Sequence, residues 1–202
     1  RGGLARCQVS GEQATADDIH PLRGHAFVVE RESPQARAVL QAGKHCLIEK
    51  PITTSVAEAD ELLGLARQSG SKVQVAYNHR WLGPYHYGKQ AILKGEIGTP
   101  LAGYARKNDT IFVATEYISW AARSTSAWFL SSHDIDLMRW FFAAEPVEAR
   151  AWGRREVLRA RGVDTWDLIQ AQVKFSSGAI ATFESAWIYP NTFPTIVDSF
   201  VE

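Results

Sequence analysis

The chain has little cysteine: Cys7 and Cys46 are its only two. They lie far apart, with no Cys-x-x-Cys pair and no His/Cys cluster at metal-ligand spacing, so a disulfide framework and a structural zinc are both excluded and a reducing compartment, the cytoplasm, is expected. Charge of one sign is also missing. Lys plus Arg number 22 against 22 Asp plus Glu, which leaves no electrostatic footprint for nucleic acid or an anionic membrane. No apolar run approaches the length of a membrane span, and the first residues lack a charged segment leading into an apolar one. Internal repeats and low-complexity tracts are absent too. What remains is a globular chain of 202 residues, long enough for one large core or two small ones, with a small neutral or mildly polar molecule as the expected partner.

Residues 1–25 carry scattered glycines without a sustained apolar period and read as mostly irregular. Ala26–Val29 is a short apolar run that suits a buried strand. Ser33-Pro34 then supplies an N-cap with proline at the first helical position, and Ala36, Val39 and Leu40 give the helix an apolar stripe before Gly43 caps it. A strand over His45–Glu49 follows. Ser55 and Glu58 form a capping box for a helix over 56–69, with Val56, Ala59, Leu62, Leu63 and Ala66 at helical spacing and Gly70 at its end. Lys72–Tyr77 alternates into a third strand. Strand, helix, strand, helix, strand is the pattern of a parallel sheet with helical crossovers.

Beyond Asn78-His79-Arg80-Trp81 a helix is expected from Pro84 to Gly95, and Ile97-Gly98-Thr99-Pro100 reads as a turn into a different architecture. There a strand over 100–106, a long polar and aromatic connection over 107–127 and a helix over 132–142 are expected. After Pro146 the chain is mostly strand. Ile169, Ala171, Val173 and Phe175 alternate with polar residues, Ser176-Ser177-Gly178 turns, and Ala179, Ala181, Phe183, Ser185 and Trp187 alternate on the return, an antiparallel hairpin. The fold class is thus α/β followed by α+β. A partial Rossmann-like parallel sheet is expected over 1–97, and a second domain with an open, mostly antiparallel sheet over 98–202.

One position stands out chemically. Lys50, in Glu49-Lys50-Pro51, falls at the carboxyl end of a short apolar strand, the edge where open α/β sheets build ligand crevices. Read from the residues alone, it is either a functional lysine or a solvated one.

Ala42-Gly43-Lys44-His45 leading to Glu49-Lys50-Pro51, then Asn78-His79-Arg80-Trp81, then Ile92 to Pro100, then His133-Asp134-Ile135-Asp136-Leu137-Met138-Arg139-Trp140, resemble in order and spacing the glucose-fructose oxidoreductase, inositol dehydrogenase and rhizopine-catabolism dehydrogenase family, Gfo/Idh/MocA. The resemblance covers about residues 35–200. It implies a dinucleotide-binding domain followed by a sheet domain for substrate binding and association. It also implies hydride transfer between NAD or NADP and a hydroxyl-bearing carbon of a sugar or cyclitol. Removing hydride from an alcohol carbon requires a group that takes the hydroxyl proton, and Lys50 suits that role. Glu49 and Pro51 would shape the turn, in the family often with a cis peptide before the proline. His133 is the second catalytic candidate, as proton donor or acceptor, with capping or packing as its alternative. Asn78 and Arg80 are candidates for the cofactor, Arg80 equally for an ion pair. Trp128, close in sequence to His133, is the tryptophan placed with the substrate, and Trp120 and Trp187 read as packing. His45, His79 and His86 read as structural.

Two departures from the family stand out. Many members carry an aspartate four residues before the histidine, where this chain has Phe129. Asp136 either takes over the orienting role beside His133 at the substrate or faces solvent. The second departure is at the front, which shows no Gly-x-Gly-x-x-Gly turn between strand and helix to hold a pyrophosphate. The chain is therefore expected to be cut or aberrant there, and its end at Val201-Glu202 also reads as cut. The competing reading is a non-catalytic sugar-binding or association module that has lost its cofactor site. In either case a homo-dimer or tetramer through the second-domain sheet is expected.

Overall fold

A computed structural model describes residues 27–29 and 33–202; the reading of residues 1–25 as irregular and the glycine-loop question lie outside them. The chain forms two compact units that divide between Tyr77 and Asn78. The sequence reading puts the break near residue 97. The difference lies in the helix over 83–93, for which the contacts below give a physical reason.

In the first unit, β1 (Phe27–Val29), β2 (Cys46–Ile48) and β3 (Val73–Val75) form a parallel sheet in that order, with β2 central. The strands are shorter than the alternation suggested, because pairing stops where Glu49 and Ala76 leave the ladder. Helix α1 (Ser33–Gln41) and helix α2 (Val56–Ser69) supply the crossovers. Their core joins Ala36, Val39 and Leu40 to Cys46 and Ile48 of β2 and to Leu62 and Ala66 of α2. The expected stripe on α2 is narrower in fact: Val56 and Leu63 are exposed. The capping box is relayed. Ser55 Oγ accepts from the Glu58 amide at 3.4 Å, but the Glu58 carboxylate accepts from Thr53 Oγ1 at 2.5 Å, and Thr53 Oγ1 in turn accepts from the Ser55 amide at 3.1 Å. Gly70 closes α2 at φ 66°, a left-handed conformation that costs glycine nothing.

In the second unit, helix α3 (Gly83–Leu93) precedes β4 (Ala102–Thr110), and helix α4 (Ser132–Phe142) precedes β5 (Pro146–Arg154). The short helix α5 (Val157–Ala160), β6 (Leu168–Phe175), β7 (Ile180–Tyr189) and β8 (Val197–Val201) complete it. The five strands form one sheet in the order β5-β6-β7-β4-β8, antiparallel except for β4 beside β7. The expected hairpin is β6 and β7. Val173, Phe175, Ala181 and Phe183 on one face meet Met138 of α4, and the alternate residues Gln170, Gln172 and Lys174 are exposed on the other. Gly103 permits the close approach of α4: a Cβ there would lie 2.5 Å from Met138 Sδ.

Two features depart from expectation. Strand β4 continues to Thr110 instead of ending at 106, so Lys107, Asn108, Asp109 and Thr110 are buried strand residues rather than the start of a polar connection. Several of their polar groups find partners inside the fold: Asn108 donates to Glu184 at 2.8 Å and to the Tyr189 hydroxyl at 2.9 Å, and Asp109 accepts from Trp187 Nε1 at 3.2 Å. Helix α3, in turn, is held by α4. Buried Lys89 donates to the Trp140 carbonyl at 2.5 Å, and its ammonium lies 5.7 Å from the Trp140 ring centroid. A cation on a carbonyl of the last helical turn is favourable there, and it ties residues 83–93 to the second unit.

Asp167 organises the connection between β5 and β6. Its carboxylate accepts from the amides of Glu156, Val157 and Leu158 at 2.6, 2.8 and 2.8 Å, capping α5. Burial pushes this carboxyl up, but the three amides, with Arg154 adding its charge, outweigh it and hold the group below its ordinary value. A lowered folded-state pKa stabilises the fold above the unfolded pKa, and that contribution disappears as pH falls through the folded one. Asp167→Asn is therefore expected to cost about 1–3 kcal/mol near neutrality and to flatten the acid side of the stability curve. Urea unfolding across pH measures both; equal stability at neutral pH would remove Asp167 from this role.

Candidate functional site

In the first unit the candidate residues form a single turn. Glu49, Lys50 and Pro51 follow directly on β2, the central strand, at the carboxyl edge of the parallel sheet, and all three are half-buried. The Lys50–Pro51 peptide is cis, as the resemblance implied. Cys46, on the same strand, is buried, and burial pushes its thiol up to about 11. A thiol so placed is neutral at physiological pH and is no nucleophile.

In the second unit the site is built on α4 and on the turn Asn78–Trp81. Wide π-type turns over Ala127–Ser131 lead into α4, an irregularity often found beside functional residues. His133 is the second residue of α4 and is buried. Its ring lies flat against that of His79, with centroids 3.9 Å apart and planes 9° apart. His79 Nδ1 lies 3.2 Å from Lys107 Nζ, and the same ammonium donates to Asp134 Oδ1 at 2.8 Å. Two imidazoles, an ammonium and a carboxylate thus share one cluster, in which His133, Lys107 and Asp134 are buried and His79 is half-buried.

Arg80 and Asp136 answer the choices left open for each. Arg80 Nε and Nη2 donate to the two carboxylate oxygens of Asp136 at 2.7 and 2.5 Å, a bidentate pair. The guanidinium also lies 5.6 Å from the Trp140 ring centroid. Asp136 is buried, so it does not face solvent. Both its oxygens are used by Arg80, and Arg80 is an ion-paired residue. Asn78 is exposed at the start of its turn. Phe129, where the family often has aspartate, packs on Trp120 and Trp187 with ring centroids 5.4 and 5.9 Å away.

Trp128 lies elsewhere. With Arg123, Thr125, Arg155, Asp164 and Trp166 it lines a cavity of about 300 Å³ that includes none of His133, Asp136 or Arg80. Trp187 is fully buried in the core and Trp120 packs against that core. Sequence reasoning missed His79, Lys107 and Asp134. The signal for Lys107 was present: Lys107 to Thr110 is a polar run between two apolar stretches, and in a strand its alternate residues face the core as Ala105 does.

The parallel-sheet unit that ends in a half-buried lysine and the open-sheet unit that follows it match two family models in turn. Residues 30–77 match the model described as oxidoreductase family, NAD-binding Rossmann fold. Residues 85–197 match the GFO/IDH/MocA C-terminal domain, and the chain belongs to that family. It is 29% identical over 190 residues to 1,5-anhydro-D-fructose reductase of Ensifer adhaerens, covering 92% of this chain and 56% of that protein. It is 30% identical over 114 residues to inositol 2-dehydrogenase 3 of Saccharopolyspora erythraea, covering 56% of this chain and 32% of the relative. Among solved structures, scyllo-inositol dehydrogenase from Lactobacillus casei with bound NAD(H) and scyllo-inositol shares the fold at a TM-score of 0.75 and 22% identity, over 92% of this chain and 56% of that one. The chain spans about half the length of the curated relatives it matches.

Proposed function

We propose that this chain serves an NAD(P)-dependent oxidoreductase that moves hydride between the nicotinamide and a hydroxyl-bearing carbon of a sugar, cyclitol or related polyol. The observation that carries the reading is Lys50, half-buried before the cis Pro51 at the end of the central parallel strand. The named relatives support the substrate class, since one is a reductase of an anhydro-sugar and another an inositol dehydrogenase. The described residues fit the nicotinamide end of the cofactor: parallel strands end together there, and Glu49-Lys50-Pro51 offers a carboxylate and an ammonium beside a fixed turn. When bound, the cofactor supplies the hydride acceptor or donor.

In this reading Lys50 exchanges a proton with the reacting hydroxyl or holds its oxyanion, and His133 acts as the second proton-exchanging group. Glu49 and Pro51 keep the Lys50 backbone in place. Arg80 and Asp136 act through each other, fixing the Asn78–Trp81 turn to α4, and Asn78 serves the cofactor. Trp128 offers a ring face for a sugar. The first domain serves the cofactor and the second the substrate and association, a homo-dimer or tetramer forming through the open face around Gln170, Gln172 and Thr182. Light scattering at micromolar concentration should give at least a dimer; monomer mass alone would count against the assembly.

A second reading is favoured by one observation: no Gly-x-Gly-x-x-Gly occurs anywhere in the 202 residues. A sugar-binding or association module would need no such loop. Titration with NADH, followed by fluorescence, and assay of a panel of inositols and anhydro-sugars with NAD and NADP separate the two. We expect NADH to bind this chain more weakly than micromolar, because the 202 residues hold no Gly-x-Gly-x-x-Gly for the pyrophosphate, yet to support polyol-dependent turnover at high concentration. Polyol binding without turnover at any cofactor concentration would favour the module.

A further inference from the structure

His79 has no part in the hydride chemistry as outlined, yet it is the residue against which His133 lies. Its position is fixed by chemistry on three sides. Lys107 Nζ is 2.8 Å from Asp134 Oδ1 and 3.2 Å from His79 Nδ1, and both Lys107 and Asp134 are buried. An ammonium carries donors only, so His79 Nδ1 accepts, and the ring proton of a neutral imidazole must then be on Nε2. A second proton on His79 could go only to Nδ1, where it would displace the ammonium. Across its face, His133 is stacked at 3.9 Å, too close for both rings to be charged without mutual repulsion. Tyr85 of α3 flanks His79 at 5.8 Å, centroid to centroid. Among the charges on the flanking elements, Arg80 pairs with Asp136, Arg106 with Asp198 and Arg139 with Glu145, the Lys89 ammonium donates to the Trp140 carbonyl, and the Asp109 carboxylate accepts from Trp187 Nε1.

We propose that His79 is a positioning residue: a neutral ring, held as its Nε2–H tautomer by the Lys107–Asp134 pair, that forms the π surface on which His133 takes up and releases its proton. The role rests on the reading of His133 as the proton-exchanging group. Phe129 packs into the core and Asp136 is bound by Arg80, while the His79 ring lies flat against His133. A protonated His133 on a neutral aromatic face is favoured as a cation over a π system, whereas a freely titrating His79 would compete for the same proton.

The test is nitrogen NMR of the histidine-labelled chain over a pH series, with resonances assigned by substitution. His79 should keep the nitrogen shifts of a neutral Nε2–H ring throughout the range in which a free histidine titrates, about one unit either side of pH 6.5, while His133 titrates. His79→Phe, which keeps an aromatic face, should leave the His133 midpoint near its original value. His79→Ala should lower it by roughly half a unit. Lys107→Met should release His79 Nδ1 and make His79 titrate; the wild-type tautomer alone decides the matter if that variant does not fold. A His79 that titrates in the wild-type chain, an Nδ1–H tautomer, or an unmoved His133 midpoint in His79→Ala would overturn the proposal. None of these readouts needs turnover, so an inactive protein with the expected tautomer would defeat the hydride-transfer reading and leave the His79 lock standing.

Discussion

Lys50→Ala is expected to lower polyol-dependent turnover by about 10²–10⁴-fold, the range that a positioned proton-transfer group contributes. The residue follows the central parallel strand β2 directly and is half-buried. A solvated surface lysine removed from a strand end would change activity little. Lys50→Arg separates the two things the ammonium can do. Guanidinium stays charged and can hold an oxyanion, but it does not release a proton at accessible pH, so the arginine variant should recover only a small part of the loss. The fold should not notice. The core of the first unit is carried by Leu40, Ile48 and Leu62, and Lys50 contributes no apolar area to it, so circular dichroism and the thermal midpoint should be unchanged. Initial rates at saturating polyol and high NAD or NADP, read from nicotinamide absorbance, decide the matter. Turnover of the alanine variant within a few-fold of the parent would remove Lys50 from the chemistry.

Much of the fold was legible because local rules and long-range packing agreed. Ser132–Phe142 is a helix in the sequence pattern and in the structure, and the alternation from Ile169 to Trp187 with Gly178 between its strands gives the hairpin and its buried face. Lys50 stood out because a lysine at the end of an apolar strand conflicts with its local pattern, and the structure puts it half-buried directly after β2. The rest was hidden for identifiable reasons. Strand β4 reads as ending at Arg106 because Lys107, Asn108 and Asp109 are polar. They are buried only because Asp134, Glu184, Tyr189 and Trp187 come from distant segments to satisfy them. His79 was hidden in the same way. Its neighbours His133 and Lys107 are remote in sequence, and no period or motif predicts a ring stack. Closeness in sequence is also no guide to a shared wall: Trp128 lines a cavity with Arg123, Arg155 and Trp166 that does not include His133.

Lys107→Met is expected to destabilise the second unit strongly, costing about 3–5 kcal/mol. Lys107 and Asp134 are 4% and 0% exposed, so the pair differs in kind from surface bridges such as Arg139–Glu145, whose loss should cost about 0–1 kcal/mol. Methionine fills much of the lysine's volume, so the loss is not chiefly a cavity. What changes is charge: the carboxylate of Asp134 keeps its burial and loses the cation 2.8 Å away. Asp134→Asn in the same chain should therefore recover a large part of the loss, because a neutral amide is far cheaper to bury than a carboxylate. The double variant should be more stable than Lys107→Met alone, a sign that simple additivity forbids. The measurement is favourable here. All seven tryptophans fall between Trp81 and Trp187, within the second unit, so urea unfolding followed by tryptophan fluorescence reports that unit alone. If Lys107→Met costs under about 1 kcal/mol, or if adding Asp134→Asn lowers stability further, the pair is no buried ion pair in solution, and the lock on His79 that depends on it goes too.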